Sequence, residues 1–370
     1  MKFFCDGEDL KAAVAIVSRG TSPKTLNPIL EGIKITAEKD TVTFFATDLE
    51  LYLRKTIHAD VKQDGCAVLP GKLFGEYIAK IGSGPIAFTS SDTTAVIQHG
   101  EGNDGKFSCL PAAEYPDLIN LSAAPTFALK SGDLRDVIAK TVLFTAQDNT
   151  RPLLRGALLE VDDHNNTLTA VALDGYRLAK VTKPVIRPTA STKIIVPGRA
   201  LEEMRRMLVD DKEEIDVILE NKFVQIALGS TVFASRLIEG DFVNYKQIIP
   251  HEFATNVVVE TNAFKTAIGR TALLTNSNKV NLLTLSTGTN CLELLADSEM
   301  GRINERVSAN LNGQDLRIAF NSKYFLDALS GVTDEFIQLS FNNALAPCVL
   351  TSAKPNGDYL FLILPVRLGE

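Results

Sequence analysis

Residues able to do chemistry are present in this 370-residue chain, yet their spacing assembles none of the common reactive sites. Carboxylates pair at Asp162/Asp163, Asp210/Asp211 and Glu213/Glu214, and a metal-dependent nuclease or polymerase would need such groups converging on metal ions. Each pair stands beside asparagine or lysine in turn-like sequence, which reads as solvated turn. Gly100, Gly102 and Gly105 fit the G-x-G-x-x-G dinucleotide spacing. They follow one strand-like run (TAVIQH) and precede another (KFSCL), whereas that fingerprint has to open a helix to use its dipole. A hairpin turn is the better reading. Four histidines (His58, His99, His164, His251) and five cysteines (Cys5, Cys66, Cys109, Cys291, Cys348) are dispersed without metal-ligand spacing. The thiols are expected to be reduced and mostly buried, with no metal site. No serine, cysteine or histidine has a nucleophile context and no phosphate loop is present, so the expectation is a non-catalytic protein without a cofactor.

The elements that position these residues repeat. TVTFFATDL (Thr41–Leu49), TLTAVALDG (Thr167–Gly175) and NCLELLADS (Asn290–Ser298) are strand-like alternations that reach Asp48, Asp174 and Asp297. LPGKLFGEYIAKI, VPGRALEEMRRML and FNSKYFLDALSGV each run from a strand into an amphipathic helix. Phe107 (FSCLP), Phe233 (FASRL) and Phe361 (FLILP) each begin a short apolar strand. All three markers recur at intervals of about 125 residues, the signature of a threefold internal repeat. The aspartates recur once per unit, so a turn or cap role fits them better than catalysis.

Each unit opens on a helical pattern (roughly 9–18, 132–144 and 262–274) followed by alternating strands such as 32–36 and 156–161. The fold class is therefore α+β: three tandem copies of a helix-plus-antiparallel-sheet domain, with boundaries at 1–124, 125–250 and 251–370. Head-to-tail copies form heterologous interfaces that close when the rotation suits. Two three-copy chains joined by their sheet edges would make a six-domain ring without free edges. The net charge is −7, but basic residues outnumber acidic ones across the six helical patterns. Helices lining a hole would present a basic wall on an acidic body, giving sequence-independent phosphate contacts.

TLNPIL (Thr25–Leu30), ATDLEL (Ala46–Leu51), LPAAEYPDL (Leu110–Leu118), LDGYRLA (Leu173–Ala179), GDFVNYKQIIP (Gly240–Pro250) and LPVRL (Leu364–Leu368), in this order on a threefold repeat, resemble the sliding-clamp family of bacterial DNA polymerase III beta subunits along essentially the whole chain. The resemblance implies a homodimeric ring around double-stranded DNA that tethers the polymerase III alpha subunit, the clamp loader and other replication and repair proteins. It implies a cleft for short apolar peptides walled by Leu154, Leu173, Gly175, Tyr176, Arg177, Leu178, Val243, Gln247, Ile248, Asn321, Tyr324, Leu345, Leu362, Ile363, Leu364, Pro365, Val366 and Arg367. It implies DNA contacts at Lys24, Gln147, Arg151 and Arg199. The chain departs from the family pattern at Tyr176, Val243 and Gln247, where histidine, proline and arginine are frequent, and it continues past the usual end with Gly369 and Glu370. Peptide preference is where these departures bear.

No apolar stretch approaches the roughly 20 residues of a membrane helix, and acidic residues arrive early in the N-terminal segment. The expectation is a cytoplasmic protein with no membrane partner. Two rival readings stay open at this point: an enzyme of unknown chemistry built from triplicated domains, and a repeat scaffold that binds proteins but not DNA.

Overall fold

The computed structural model describes residues 1–22, 27–117, 123–275 and 281–367. Six α-helices stand among them: α1 (Gly7–Val17), α2 (Gly71–Lys80), α3 (Ser131–Thr141), α4 (Gly198–Met207), α5 (Thr261–Thr275) and α6 (Ser322–Ser330). The order strand, helix, four or five antiparallel strands, helix, three strands runs through three times. α1, α3 and α5 coincide with the opening helical pattern of each repeat, and α2, α4 and α6 with the second.

The chain groups into two compact units, Met1–Ala128 with Glu214–Leu237, and Leu129–Glu213 with Ile238–Glu370. In the first unit, Lys2–Asp6 lies in a five-stranded sheet whose far edge is Asn103–Ser108. A second sheet runs from Gly65–Pro70 through Gly32–Glu38, Thr41–Thr47 and Leu51–His58 to Thr231–Arg236, Phe223–Leu228 and Glu214–Glu220. The first repeat thus joins the end of the second by strand pairing, with Phe233 opposite Leu53. α1 lies on Leu51–His58 and beside α2. Its start is set by Asp6, whose carboxylate accepts from the Glu8 and Asp9 amides.

In the second unit one antiparallel sheet of twelve strands begins Thr192–Pro197, Gly156–Asp162, Thr167–Leu173, Arg177–Pro184 and then continues through Tyr359–Ile363 and Cys348–Ser352. The junction again pairs a first-half strand of one repeat with the last strand of the next, Ala179 opposite Phe361. α3 packs on Arg177–Pro184 and on α4, while α5 packs on α6. The α5–α6 contact is aromatic, with Phe264 edge-on to Phe325 at 5.7 Å, and Phe320 of the strand Arg317–Asn321 joins Phe325 at 5.2 Å.

The repeated aspartates do turn work in the first two copies. Asp48 Oδ1 accepts from the amides of Glu50 and Leu51, and Asp174 Oδ1 from those of Tyr176 and Arg177. These bonds close hairpins whose last pairs are Thr47–Tyr52 and Leu173–Leu178. In the third copy Ala296 pairs with Ile303, so that hairpin is two residues longer and Asp297 sits within the ladder opposite Arg302. Gly100 and Gly102 hold φ of +56° and +75° in the turn between Thr94–His99 and Asn103–Ser108, as the hairpin reading expects. No helix of the described residues is long and apolar enough to cross a membrane.

Candidate functional site

The expected cleft residues all lie in the second unit. Alternation along the paired strands sends one set of side chains to a common apolar cluster. Leu173 ends Thr167–Leu173, Leu178 follows on the next strand, and Leu362 faces it across the junction. These three and Leu154 are 2–6% exposed and pack with Leu158, Val171, Tyr245 and Val349. Tyr245 is fixed by its hydroxyl, which donates to Glu160 at 2.5 Å. Leu364 packs against the cluster from outside. Ile363 is fully buried and, by strand alternation, points to the opposite sheet face from Leu362.

Four other expected cleft residues are apolar side chains that folding leaves in water: Tyr176 at 63% exposure, Leu345 at 70%, Val243 at 43% and Ile248 at 39%. Gln247 is also exposed. Gly175 adopts φ +93°, and a Cβ there would stand 3.2 Å from Arg151 Nη1, so glycine suits this turn twice over. Asn321 caps α6 by accepting from the Lys323 amide. After the last strand the backbone is held at two points, Leu364 N–H donating to Tyr176 O and Val366 N–H to Ala319 O. Pro365 lies between them and Arg367 is exposed.

Arg177 organises the site's polar side. It is 9% exposed, and its guanidinium donates to Asp174 Oδ2 (2.9 Å), Asp327 Oδ2 (2.6 Å) and Leu143 O (2.6 Å). It also lies over the rings of Phe144 (4.9 Å) and Tyr324 (4.5 Å), a planar donor held by bonds in its plane and aromatic faces above it. Tyr324 in turn stacks on Tyr176 at 6.4 Å. Burial first, then the charge of Asp174, push the Tyr324 phenol above its usual range, so the stacked ring is neutral.

Beside this lies an ion network. Lys183 Nζ is 2.8 Å from Asp136 Oδ2 and 2.5 Å from Asp358 Oδ2, and Lys140 bonds Asp136 again. Burial disfavours the Lys183 charge, but its bonds to Asp136 and Asp358 outweigh that and raise its pKa. Burial likewise works against the Asp358 carboxylate, and Lys183 and Lys140 together hold it below the usual range.

Of the expected DNA contacts, Lys24 lies outside the described residues. Gln147, Arg151 and Arg199 are exposed. Gln147 and Arg199 line one cavity of about 810 Å³, together with Arg155, Arg205 and Lys323. Arg151 instead leans on Gly175. Arg155 has no counterpart among the sequence expectations; nothing in its PLLR context marks it. Lys323 is one of the basic residues of the six helical patterns, and it holds the same helix-start position as Arg199 and Lys72 in the other repeats.

Three family models cover the chain: the DNA polymerase III beta subunit N-terminal domain at residues 1–120, its central domain at 128–244 and its C-terminal domain at 246–367. A beta sliding clamp of Halalkalibacterium halodurans is 32% identical over 381 residues, covering 99% of this chain and all of that one. A beta sliding clamp of Staphylococcus aureus is 31% identical over 94% of both. Among solved structures, the DNA polymerase sliding clamp of Bacillus subtilis superposes with a TM-score of 0.94 at 28% identity, over the full length of both chains.

Proposed function

This chain belongs to the DNA polymerase III beta subunit family, the sliding clamps, and from that premise we propose that two copies close into a ring around duplex DNA. The chain is a processivity clamp for DNA replication, an accessory factor and not a catalyst. The threefold division at 1–124, 125–250 and 251–370 belongs to this reading, and the three family matches support it. So do a cytoplasmic setting and the partners themselves: the polymerase III alpha subunit, the clamp loader and other replication and repair proteins.

One observation carries the ring. Twice within the chain, the strand that carries the repeated phenylalanine pairs with a strand of the preceding repeat at one register: Phe233 opposite Leu53, Phe361 opposite Ala179. The corresponding first-repeat strand, Asn103–Ser108, is a sheet edge. The corresponding third-repeat strand, Gly301–Ser308, has Cys291–Ser298 as its neighbour on one side among the described residues. Applying the same register, and allowing for the longer third hairpin, sets Phe107 of one copy opposite Asn304 of the next. Lys106 then faces Glu305, an opposite-charge cross-strand pair. Two such contacts close the ring and cover both edges.

Inside the ring, helix cations meet phosphates weakly and without base readout, which permits sliding. Outside, the apolar cluster rimmed by Tyr176, Val243, Ile248 and Leu345 receives a partner's apolar peptide, with affinity resting on one or two anchors. Tethering holds the polymerase near its template at high effective concentration. The test is topological. Protein loaded onto nicked circular DNA is expected to stay through a high-salt wash and to leave when the circle is cut. Equal retention on circular and linear DNA would overturn the reading.

A further inference from the structure

Two large apolar side chains stand in water at positions that the repeat makes equivalent to a contact formed elsewhere in the chain. Leu73 is 58% exposed and Met300 78%. Leu73 is the third residue of α2, one step off the Phe74/Ile78 stripe that the helix buries, so the core does not need it. Met300 is the residue before Gly301–Gly313, the second strand of the third hairpin. Ser298 pairs with Gly301 across that turn, and the Met300 amide donates to Ser298 Oγ at 3.3 Å, which fixes where the side chain starts. The second unit holds both positions again. Tyr324 is the third residue of α6, beside the buried Phe325, and Tyr176 is the residue before the strand Arg177–Pro184. There the two side chains stack at 6.4 Å. The helix start of one repeat thus meets the hairpin tip of the repeat before it.

Leu73 lies in the first repeat and Met300 in the third, and both stay exposed within one chain, which leaves the same meeting to be made between copies. We propose that Leu73 of one copy packs on Met300 of the next as an apolar latch, and that oxidation of Met300 by a peroxide weakens it. The occupant rests on the ring reading, which brings Asn103–Ser108 of one copy beside Gly301–Gly313 of the other. Charge agrees with this: Lys72 precedes Leu73 and Glu299 precedes Met300, so an opposite-charge pair flanks the apolar one. The latch differs from its tyrosine counterpart by holding a thioether. Its sulfur attacks one oxygen of hydrogen peroxide, an S–O bond forms as the O–O bond breaks, and the other oxygen leaves as water. The sulfur loses two electrons and the peroxide gains them. The product is a polar sulfoxide, which a dry apolar contact disfavours. Of the four methionines, Met1 and Met204 are buried and Met207 is half-buried, so Met300 is the first to react in an open chain.

The experiment measures the dimer dissociation constant of the full-length protein by sedimentation velocity over a dilution series, before and after hydrogen peroxide. Peptide mass mapping scores the sulfoxide at Met300, and circular dichroism checks that the fold is kept. A ring has a joint on each side, so a loss at one joint is multiplied by the loss at the other. Peroxide is expected to raise the wild-type constant at least about tenfold. Leu73→Ser should raise it by a similar factor, and peroxide should then add less than about twofold, because the side chain that Met300 packs on is already gone. Met300→Leu should give the same constant before and after peroxide, which separates the thioether from the exposed Cys66. An unchanged constant with Met300 fully oxidised, a full peroxide effect in Met300→Leu, or a full added effect in Leu73→Ser would overturn the latch and leave the ring standing. An untreated wild type that sediments as a monomer at every concentration would overturn the ring, and the latch with it.

Discussion

The two places where one repeat is sewn to the next share a register and differ in nearly everything packed against it. At Leu51–His58 against Thr231–Arg236 the space over the strands is filled. Phe45, Tyr52, Tyr115 and Phe223 interlock at ring distances of 5.7–6.3 Å, and the Tyr115 hydroxyl is satisfied by Gly32 O at 2.9 Å. Tyr115 is 4% exposed. At Arg177–Pro184 against Tyr359–Ile363, the position held by Leu51 in the first copy is Arg177, and that of Glu50 is Tyr176. The cation turns away to Asp327 and Leu143, and the phenol stands in water. One junction is closed by its own side chains, and the other keeps Tyr176 exposed. The same ladder thus carries a closed aromatic cluster in one repeat and, in the proposed reading, the floor of a docking site in the next.

This contrast can be broken at several points. The largest effect is expected from Tyr115→Ala, which empties a closed aromatic cluster. It should cost about 3–5 kcal/mol in urea unfolding, and peptide affinity at the other junction should not change. Arg177→Ala removes a buried cation and leaves Asp174 and Asp327 unpaired, for about 3 kcal/mol. Because the Tyr324–Tyr176 stack loses its support, peptide affinity measured by fluorescence polarisation should also fall at least about tenfold. Arg177→Lys should fail to restore it, since an ammonium cannot make the planar contacts.

Lys183→Met should cost about 1–3 kcal/mol by stripping Asp358 of its partner, and it should also change the acid limb. The folded Asp358 carboxyl lies below its unfolded value near 3.9. Its contribution is therefore present above that pH and lost as pH falls through the folded pKa. Wild-type protein should lose more stability than Lys183→Met between about pH 5 and pH 2, as followed by unfolding at stepped pH. The smallest stability change, within about 0.5 kcal/mol, belongs to the exposed Tyr176→Ala, yet this variant should still weaken peptide binding severalfold. A Tyr176→Ala protein with full peptide affinity would remove the stacked pair from the docking account.

Much of this was legible from the residues. Phe107, Phe233 and Phe361 mark equivalent strands because apolar alternation and spacing survive when most identities do not. Asp48 and Asp174 read correctly as turn residues, since a short hairpin needs a side-chain acceptor for its free amides. Asp297 shares the spacing but not the role, because two extra residues move it into the ladder. The pairing of Phe233 with Leu53 lies beyond sequence periodicity, which reports faces and not neighbours. Arg155 was silent for a similar reason: its place beside Arg199 and Lys323 depends on how three distant segments meet. Leu173, Leu178 and Leu362, named from three separate segments, pack in one buried cluster.

The measurement that bears most directly on the ring is small-angle X-ray scattering with in-line light scattering on the pure protein. A particle of twice the 40.2 kDa chain mass is expected, with scattering that requires a central hole. Phe107→Asp, which places a charge in the joining strand, should halve that mass. A wild-type protein that stays a 40.2 kDa particle across a wide concentration range, or a dimer without a hole, would contradict it.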